Sequence, residues 1–337
     1  MSPGGAGGDD AGIEGGRGGE GSASERAWLR AHGVTPRKRL GQNFLVHPAA
    51  AGRLVRAMKI AEGSDVLEIG AGAGSLTRAL LDPPATGSGR PARVWSVEVD
   101  ARLAALLRER FAPEITAGRL HLLEGSILDL DPCALPGRAA ASDGHDGEAS
   151  DGDGAGASGW TPRSSPLFLA GNLPYAITTP ILLWTLEHRA SFSRAAFLVQ
   201  REVAARLLAS PGGRTYGSLT VWVSYHAAVE KLASVGPSSF WPVPEVDSTL
   251  IGLRFHPQPP VDAGDPRDLE KALAAAFGQR RKMLRAALRS ALGDGALAAR
   301  VLSEAGIDPT RRAETLDLAA FAALARALAS AAGPSLR

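Results

Sequence analysis

The chain has 337 residues, of which 45% are apolar, enough for one large domain or two of ordinary size. Its single cysteine, Cys133, excludes an intrachain disulfide and a cysteine-rich zinc site. No apolar run reaches the roughly eighteen residues of a membrane span, and the Gly/Asp-rich N-terminus is not a secretion signal. We therefore expect a cytoplasmic protein with no membrane partner.

The formal net charge of +2 hides an uneven distribution of charge. Residues 1–24 and 138–165 together hold nine acidic and three basic residues, which leaves 34 basic and 26 acidic residues elsewhere. That balance is compatible with a polyanionic partner but does not require one. Both segments are rich in Gly, Ser and Asp and lack periodicity, so we predict a disordered tail over 1–24 and a disordered insertion over about 138–165. The Asp/Gly alternation of the insertion lacks the spacing of a calcium loop, and we predict no metal site.

Between the tail and residue 256, strand-like apolar runs alternate with helical patterns. Such alternation predicts an α/β fold with a parallel, doubly wound, Rossmann-like sheet. We predict strands over 65–69, 94–99, 120–124, 166–170 and 195–200, and helices over 75–81, 102–111, 179–188 and 202–209. Two further β-rich runs, 220–227 and 249–255, predict an antiparallel pair of strands at the sheet edge.

The character of the sequence changes after the linker at 257–260, which contains three prolines. Three Ala/Leu-rich segments with helical spacing follow, over 267–292, 295–305 and 318–329. We therefore predict two domains, an α/β domain over 25–256 and a small all-α domain over 261–330.

A glycine-rich turn follows the first predicted strand, at Gly70, Gly72 and Gly74. Glycines let the backbone turn tightly and approach a ligand, and Glu98 at the end of the next strand can accept both hydroxyls of a ribose. The spacing is G-x-G-x-G instead of the pyrophosphate fingerprint, and Glu68 would repel a pyrophosphate but suit a cationic ligand. These features favour S-adenosylmethionine as cofactor, with NAD as the alternative.

Ser126 follows the third predicted strand, at a position that contacts adenine in sites of this architecture. Its hydroxyl could accept a hydrogen bond from the exocyclic amine. A loop serine without a ligand is the alternative interpretation.

The segment Asn172–Tyr175 lies where a buried strand passes into a loop, which is where open α/β sheets place their chemistry. An adenine N6 amine is a poor nucleophile because its lone pair is delocalised. The Asn172 side-chain oxygen and the Leu173 carbonyl could hold the amine hydrogens, since Pro174 keeps the preceding residue extended. Tyr175 offers a ring face for stacking. A simple turn is the alternative for these four residues taken alone.

Several segments together resemble the ribosomal RNA adenine N6-dimethyltransferases, and within them the group that acts on 16S rRNA. The resemblance covers about residues 35–325 and rests on the segments 38–45, 68–74, 172–175, 199–204, 216–219, 240–248 and 277–284. It implies that Asn43 and Leu45 touch the methionine part of the cofactor, and that Gly70, Glu98 and Asn172 occupy other cofactor positions. The family usually has Asp where this chain has Ser126, a departure that bears on adenine binding.

The resemblance also extends the predicted site beyond the cofactor. Phe240 is expected to form a second aromatic wall for a flipped adenine, with a core phenylalanine as the alternative. Arg280, Arg281 and Lys282, predicted on the first helix of the C-terminal domain, are expected to contact RNA phosphates, with a solvated helix face as the alternative. Residues 37–39 could extend the same basic surface.

The expected activity is methyl transfer from S-adenosylmethionine to N6 of two adjacent adenosines in a hairpin loop near the 3′ end of 16S rRNA, by a monomer acting on the small ribosomal subunit. One alternative is the related group that methylates 23S rRNA and confers macrolide resistance. Leu173, where that group commonly has Ile, argues against it, as does the segment 280–284. A second alternative is a non-catalytic ribosome assembly factor, against which the intact 172–175 segment argues.

Overall fold

The structure is a computed structural model that describes residues 19–37, 40–136 and 166–332. The predicted disordered insertion, and residues 1–18 of the predicted tail, lie outside the described residues. Residues 19–24 were also expected to be disordered, but they form the start of helix α1 (Gly19–Ala31). This correction has a tertiary cause, because Leu29 near the end of α1 is fully buried and anchors a helix whose first turns have a tail-like composition.

Among the described residues, seven strands form one sheet in the order β4-β3-β2-β5-β6-β9-β7, and β1 pairs with β8 as a separate antiparallel ribbon. The strands are β1 (Phe44–Leu45), β2 (Asp65–Ile69), β3 (Arg93–Glu98), β4 (Leu120–Glu124), β5 (Leu167–Asn172), β6 (Phe192–Gln200), β7 (Ala227–Val235), β8 (Phe240–Trp241) and β9 (Ser248–Phe255). The four pairings among β2 to β6 are all parallel, which confirms the predicted Rossmann-like sheet.

Eleven further α-helices follow α1 in the described part of the chain, and most alternate with the strands. They are α2 (Pro48–Met58), α3 (Ser75–Leu81), α4 (Ala101–Arg110), α5 (Ala112–Thr116), α6 (Thr178–Glu187), α7 (Arg201–Leu207), α8 (Ser218–His226), α9 (Pro266–Phe277), α10 (Leu284–Leu292), α11 (Gly295–Glu304) and α12 (Leu318–Ala332). None of them combines the length and apolar character needed to span a bilayer.

The order of the strands reverses between β2 and β5, so the sheet has its switch point there. The two strands are in direct register, with Ile69 opposite Gly171. A Cβ on Gly171 would lie 2.9 Å from the Ile69 carbonyl oxygen, so glycine is the residue that fits this approach. The carboxyl ends of β2 and β5 are therefore neighbours, the position at which open α/β sheets form their ligand crevice.

A cluster of buried apolar side chains, the first core, packs against one face of this sheet. Leu54, Met58 and Leu80 of α2 and α3 are buried in one cluster with Val66 and Phe168 of β2 and β5. Each fully buried side chain of this size stabilises the fold by roughly 1.5–3 kcal/mol relative to exposure. This packing holds the two strands that carry the crevice.

The predicted strand over 220–227 is wrong, because most of this run is helix α8 (Ser218–His226). The run Thr-Val-Trp-Val-Ser-Tyr has high β propensity, but Val221 and Tyr225 lie four residues apart and share one face of a helix. Both are buried in a cluster with Leu284 and Phe321, and this burial outweighs the local preference. The strand that lies beside β9 is instead β7, which begins directly after α8.

Contacts divide the chain into two compact units, residues 1–199 with 232–252 and residues 200–231 with 253–337. The second unit has its own core, in which Phe277 and Phe321 stack with ring centroids 5.5 Å apart. The predicted helical C-terminal region is present as α9 to α12. The predicted domain boundary at 257–260 stays a prediction. The grouping by contacts differs from it by placing residues 200–231 in the second unit.

Candidate functional site

Two adjoining cavities lie at the carboxyl ends of β2, β3 and β5, in the first unit. The first cavity is lined by residues 40–45, Gly70, Ala71, Gly72, Ala73, Ser75, Leu76, Glu98, Val99, Asn172, Leu173, Pro174 and Tyr175. The second cavity is lined by Leu40, Ile69, Gly70, Val97, Val99, Gly125, Ser126, Ile127, Pro174, Ala176, Ile177 and Ile181. The predicted glycine turn and the Asn172–Tyr175 segment thus open onto the same crevice.

The glycine turn has a backbone that other residues rarely adopt. Gly70 and Gly72 have φ of 73° and 57°. The Gly72 N–H donates to Glu98 Oε2 at 2.8 Å, and the Gly70 N–H donates to the Val97 carbonyl at 2.9 Å. The turn is therefore tied to the end of β3 while its backbone forms one wall of the first cavity.

Glu98 is 4% exposed and lies at the end of β3, as predicted. Its Oε1 accepts the Asp100 N–H at 2.8 Å, so each carboxylate oxygen already holds one backbone donor. Burial raises the pKa of Glu98 above its usual value, against the lowering effect of these donors. Each oxygen keeps a second lone pair, which is the capacity needed to accept two vicinal hydroxyls.

Glu68 does not reach either cavity, contrary to our expectation that it would suit a cationic ligand. It is fully buried below the turn, where Oε2 accepts hydrogen bonds from Thr77 Oγ1 at 2.7 Å and Ser96 Oγ at 2.5 Å. Its Oε1 has no hydrogen-bond partner among the described residues. Burial raises the pKa of Glu68 to about 7. Its two hydrogen bonds link β2 to α3 and β3.

Asn172 ends β5, and its carboxamide joins two parts of the crevice. Asn172 Nδ2 donates to the backbone carbonyl of Asn43 at 3.0 Å. The next residue is anchored as well, because the Leu173 N–H donates to the Leu198 carbonyl at 3.0 Å. Asn43, Leu45 and Asn172 all line the first cavity, so the structure brings these three predicted residues together.

Pro174 and Tyr175 start a short 3-10 turn that leads into α6. The Pro174 carbonyl accepts a hydrogen bond from Thr178 Oγ1 at 3.0 Å, which fixes the end of the loop. The Tyr175 hydroxyl lies 3.3 Å from Ser248 Oγ, and burial raises the pKa of this phenol. The Tyr175 ring is thus held at the wall of the first cavity.

Ser126 lines the second cavity, whose other side chains are almost entirely apolar. Its Oγ accepts the Leu128 N–H at 3.2 Å and caps a short 3-10 turn. The hydroxyl hydrogen remains available as a donor, and a second lone pair as an acceptor.

The structure does not bring Phe240 to the crevice. Phe240 is 1% exposed, belongs to the first core and pairs with Leu45 in the β1–β8 ribbon. The aromatic residues that line the first cavity are Phe44 and Tyr175. Sequence reasoning missed Phe44, although it stands between two predicted cofactor residues in the 38–45 segment.

The three predicted RNA-binding cations belong to the second unit and do not lie on a helix. Helix α9 ends at Phe277 and α10 begins at Leu284, so residues 280–282 form the turn between them. The sequence pattern predicted one continuous helix over 267–292. In the structure the buried residues Ala276 and Leu284 belong to two separate helices, α9 and α10. The Arg280 guanidinium donates to the carbonyls of Arg214 at 2.7 Å and Tyr216 at 3.1 Å. Arg281 and Lys282 are exposed.

The remaining basic segment, residues 37–39, is only partly described. Arg37 forms an ion pair with Asp100 at 3.4 Å, whereas residues 38 and 39 lie outside the described residues. Within the described ranges, no group of three or more His, Cys, Asp or Glu side chains is placed to hold a metal ion.

Comparison with known proteins assigns the family. The family model for ribosomal RNA adenine dimethylase matches residues 33–329. The chain belongs to this family. It is thus an rRNA adenine dimethyltransferase, and the resemblance inferred from the sequence is confirmed.

Relatives of similar length agree with this assignment. The chain is 41% identical over 313 residues to a ribosomal RNA small subunit methyltransferase A of Rhodospirillum rubrum, covering 93% of this chain and 95% of the relative. It is 42% identical over 307 residues to the protein of that name in Anaeromyxobacter dehalogenans, covering 90% and 98%.

Solved structures share the fold. A dimethyladenosine transferase from Plasmodium falciparum is 22% identical with a TM-score of 0.62, covering 85% of this chain and 97% of that one. The 23S rRNA methyltransferase ErmE is 24% identical with a TM-score of 0.57, covering 85% and 100%. At these identities the likeness establishes the methyltransferase-type fold and nothing finer.

The buried Glu68 predicts a stability change with pH. Because its folded pKa of about 7 exceeds the ordinary value of 4.5, the folded state binds the proton more tightly than the unfolded state. The stability of the fold therefore falls as pH rises through this window. The full contribution is on the order of 3 kcal/mol. Glu68→Gln mimics the protonated acid, so the free energy of unfolding, measured with urea from pH 4.5 to 8, should fall less steeply than in the wild type.

The exposed Glu109 of α4 offers a matched control, and Glu109→Gln should leave the pH profile unchanged. Parallel profiles for the wild type and Glu68→Gln would show that Glu68 does not titrate in this window.

Proposed function

We propose that this protein transfers methyl groups from S-adenosylmethionine to N6 of two adjacent adenosines in a hairpin loop near the 3′ end of 16S rRNA in the small ribosomal subunit. The observation that carries the proposal is that the Gly70–Ala73 turn and the Asn172–Tyr175 segment line one cavity at the switch point. The small-subunit substrate is supported by the names of the relatives from two bacteria.

The lining of the crevice fits S-adenosylmethionine better than NAD. Among its described residues the first cavity has the buried Glu98 carboxylate and no Lys or Arg side chain. A pyrophosphate would meet a negative charge there without a cationic partner, whereas a sulfonium and an amino group meet a favourable one. Glu98, and not Glu68 as expected from the sequence, is the acid that lines this cavity.

Each part of the cofactor has residues to hold it. Glu98 is placed for the ribose hydroxyls, and Gly70 and Gly72 let the ligand approach the backbone closely. The apolar second cavity suits a flat base, with Ser126 for its exocyclic amine. Asn43 and Leu45 are the proposed contacts of the methionine part. When bound, the cofactor supplies a methyl group activated by the positive sulfur.

Asn172 and Leu173 are proposed to orient the substrate amine. Because Asn172 Nδ2 is engaged by the Asn43 carbonyl, the side-chain oxygen is the end of the carboxamide left to accept an amine hydrogen. The Leu173 carbonyl is proposed as the second acceptor, on a backbone anchored at Leu198 and preceding Pro174. Two acceptors favour tetrahedral geometry at nitrogen and aim its lone pair. Catalysis then depends on orientation and fixed dipoles, without a strong base.

Tyr175 is proposed to stack on the target adenine, which must leave the RNA stack to enter the cavity. Such stacking contributes about 1–3 kcal/mol per base. Phe44 replaces Phe240 as the proposed second aromatic surface, because Phe44 lines the first cavity and Phe240 is buried in the core.

RNA binding is proposed for the turn at 280–282. Arg281 and Lys282 are exposed and suit phosphate contacts, whereas the Arg280 guanidinium already donates to two backbone carbonyls. Arg280 is therefore proposed to shape the turn in addition to adding charge. We further propose that the enzyme acts as a monomer in the cytoplasm.

The central test is methylation of small ribosomal subunits that lack the modification, followed by digestion to nucleosides. The wild type should form N6,N6-dimethyladenosine, and Asn172→Ala should reduce the rate by at least about a hundredfold, since it removes an oriented acceptor in the transition state. Binding of S-adenosylhomocysteine by calorimetry should change little in comparison.

Three results would contradict the proposal. They are no dimethyladenosine from the wild type, methylation of large subunits instead, or an undiminished rate in Asn172→Ala. The second result would favour the 23S rRNA alternative. Normal subunit maturation with Asn172→Ala, together with lost methylation, would identify a separate assembly role.

Two substitutions at Tyr175 separate ring stacking from the hydroxyl contact. Tyr175→Ala removes the ring and should lower kcat/KM for the RNA about 10–100-fold. Tyr175→Phe keeps the ring and loses only the contact with Ser248, so it should lie within about threefold of the wild type. Equal losses in both variants would mean that the hydroxyl matters and the stacking does not.

Ser126 gives a prediction specific to this chain. Ser126→Asp places a stronger acceptor at the second cavity and can keep the cap on Leu128. The Ser126→Asp variant should bind S-adenosylhomocysteine with a dissociation constant about three- to tenfold lower than that of the wild type. Ser126→Ala should raise this dissociation constant slightly. Weaker binding by the Asp variant, with an unchanged melting temperature, would show that Ser126 does not contact the adenine.

A further inference from the structure

Helix α1 packs behind the wall of the first cavity. Its residue Leu29 is fully buried in a small cluster that also contains Phe44 and Ala73. Both Phe44 and Ala73 line the first cavity, so they have one side toward α1 and another toward the crevice. The N-terminal helix therefore supports the site from outside without lining it.

One side chain, Arg110, connects α1 to the glycine turn. It is the last residue of α4, and its guanidinium donates to Glu25 Oε1 at 2.6 Å and Oε2 at 2.9 Å. The same guanidinium donates to the backbone carbonyl of Ala73 at 2.9 Å. It also lies over the Trp28 ring, 4.4 Å from the centroid. Arg110 thus binds two residues of α1 and one residue of the turn.

The environment makes these contacts stronger than ordinary surface contacts. The Arg110 and Glu25 side chains are 20% and 11% exposed, so solvent screens the pair only partly. Bidentate pairing of a guanidinium with a carboxylate fixes the orientation of both groups. Trp28 covers the guanidinium face and adds a cation–π contact.

The bond to Ala73 reaches the part of the turn that matters for the cofactor. Ala73 directly follows Gly72, whose N–H donates to Glu98 at 2.8 Å. The turn contains three glycines with positive φ and has little steric restraint of its own. Arg110 therefore holds the carbonyl of the residue next to Gly72, and the Gly72 amide in turn holds the Glu98 carboxylate.

We propose that Arg110 is a positioning residue that couples the docking of α1 to the cofactor-binding geometry of the glycine turn. The inference rests on the proposed cofactor site. By linkage, docking of α1 strengthens cofactor binding, and bound cofactor strengthens the docking of α1 by the same factor.

Two variants test the coupling. In Arg110→Lys the charge stays, but a single ammonium lacks the fork that holds both Glu25 oxygens and the Ala73 carbonyl. Glu25→Gln keeps the bond from Arg110 to Ala73 and weakens only the link to α1. The control is Arg108→Lys on the same helix turn, whose partner Glu124 and own side chain are both nearly half exposed, 43% and 48%.

The measurements are calorimetric binding of S-adenosylhomocysteine and steady-state kinetics with varied cofactor. Arg110→Lys should raise the dissociation constant and the cofactor KM about tenfold, and Glu25→Gln about threefold. In both variants kcat at saturating cofactor should stay within about twofold, and Arg108→Lys should match the wild type. In the wild type, bound S-adenosylhomocysteine should increase the hydrogen-exchange protection of residues 25–31. The Arg110→Lys variant should lose most of this increase.

A purely structural role would give a different result, namely a lower melting temperature with unchanged cofactor affinity and unchanged protection on binding. That result in either variant would overturn the inference while leaving the proposed function intact. Absence of S-adenosylhomocysteine binding by the wild type would instead defeat the proposed cofactor site and this inference with it. If Arg110→Lys fails to fold, Glu25→Gln decides the question alone.

Discussion

The site depends on the close parallel pairing of β2 and β5 at the switch point of the sheet. Gly171 passes so near the Ile69 carbonyl that a Cβ would lie 2.9 Å from that oxygen. This approach sets the glycine turn after β2 beside the Asn172 segment after β5. A group bound at the turn and a group held by Asn172 therefore share one crevice, which is the geometric requirement for transfer between them. The cross-connection from Asn172 to the Asn43 carbonyl closes the same crevice from a third segment.

Electrostatics decide which cofactor such a crevice suits. The buried Glu98 carboxylate, held by two backbone amides, is the charged side chain of the first cavity among the residues that the structure describes. A preorganised negative group at low exposure favours a cationic ligand and its hydroxyls over an anionic one. Glu68 has a different task, because it lies below the turn and binds the hydroxyls of Thr77 and Ser96. Two acids that look equivalent in the sequence thus differ in the structure, since Glu98 lines the first cavity and Glu68 is bonded internally to Thr77 and Ser96.

Polar contacts outside the two cavities hold parts of the crevice wall in place. Arg110 joins α1 to the Ala73 carbonyl, and the Tyr175 hydroxyl is held near Ser248. In each case a polar contact restrains a turn at the cavity wall. Such restraint reduces the ordering that must accompany binding, which is how residues outside a site affect its affinity.

The sequence by itself determined the parallel sheet, the glycine turn, the position of Asn172 at a strand end and the membership of the family. These follow from local patterns, namely strand–helix alternation and short motifs whose residues are neighbours in the chain. Tertiary structure alone decided the rest, because the deciding contacts join residues far apart in sequence. Residues 218–226 have strand propensity but form a helix, because this buries Val221 and Tyr225. Phe240 lies in the core, where its strand pairs with Leu45. Burial also turned Glu68 inward, and docking of Leu29 extended a helix into the predicted tail. A side chain's neighbours from other segments fix its burial and partners, and no local pattern encodes them.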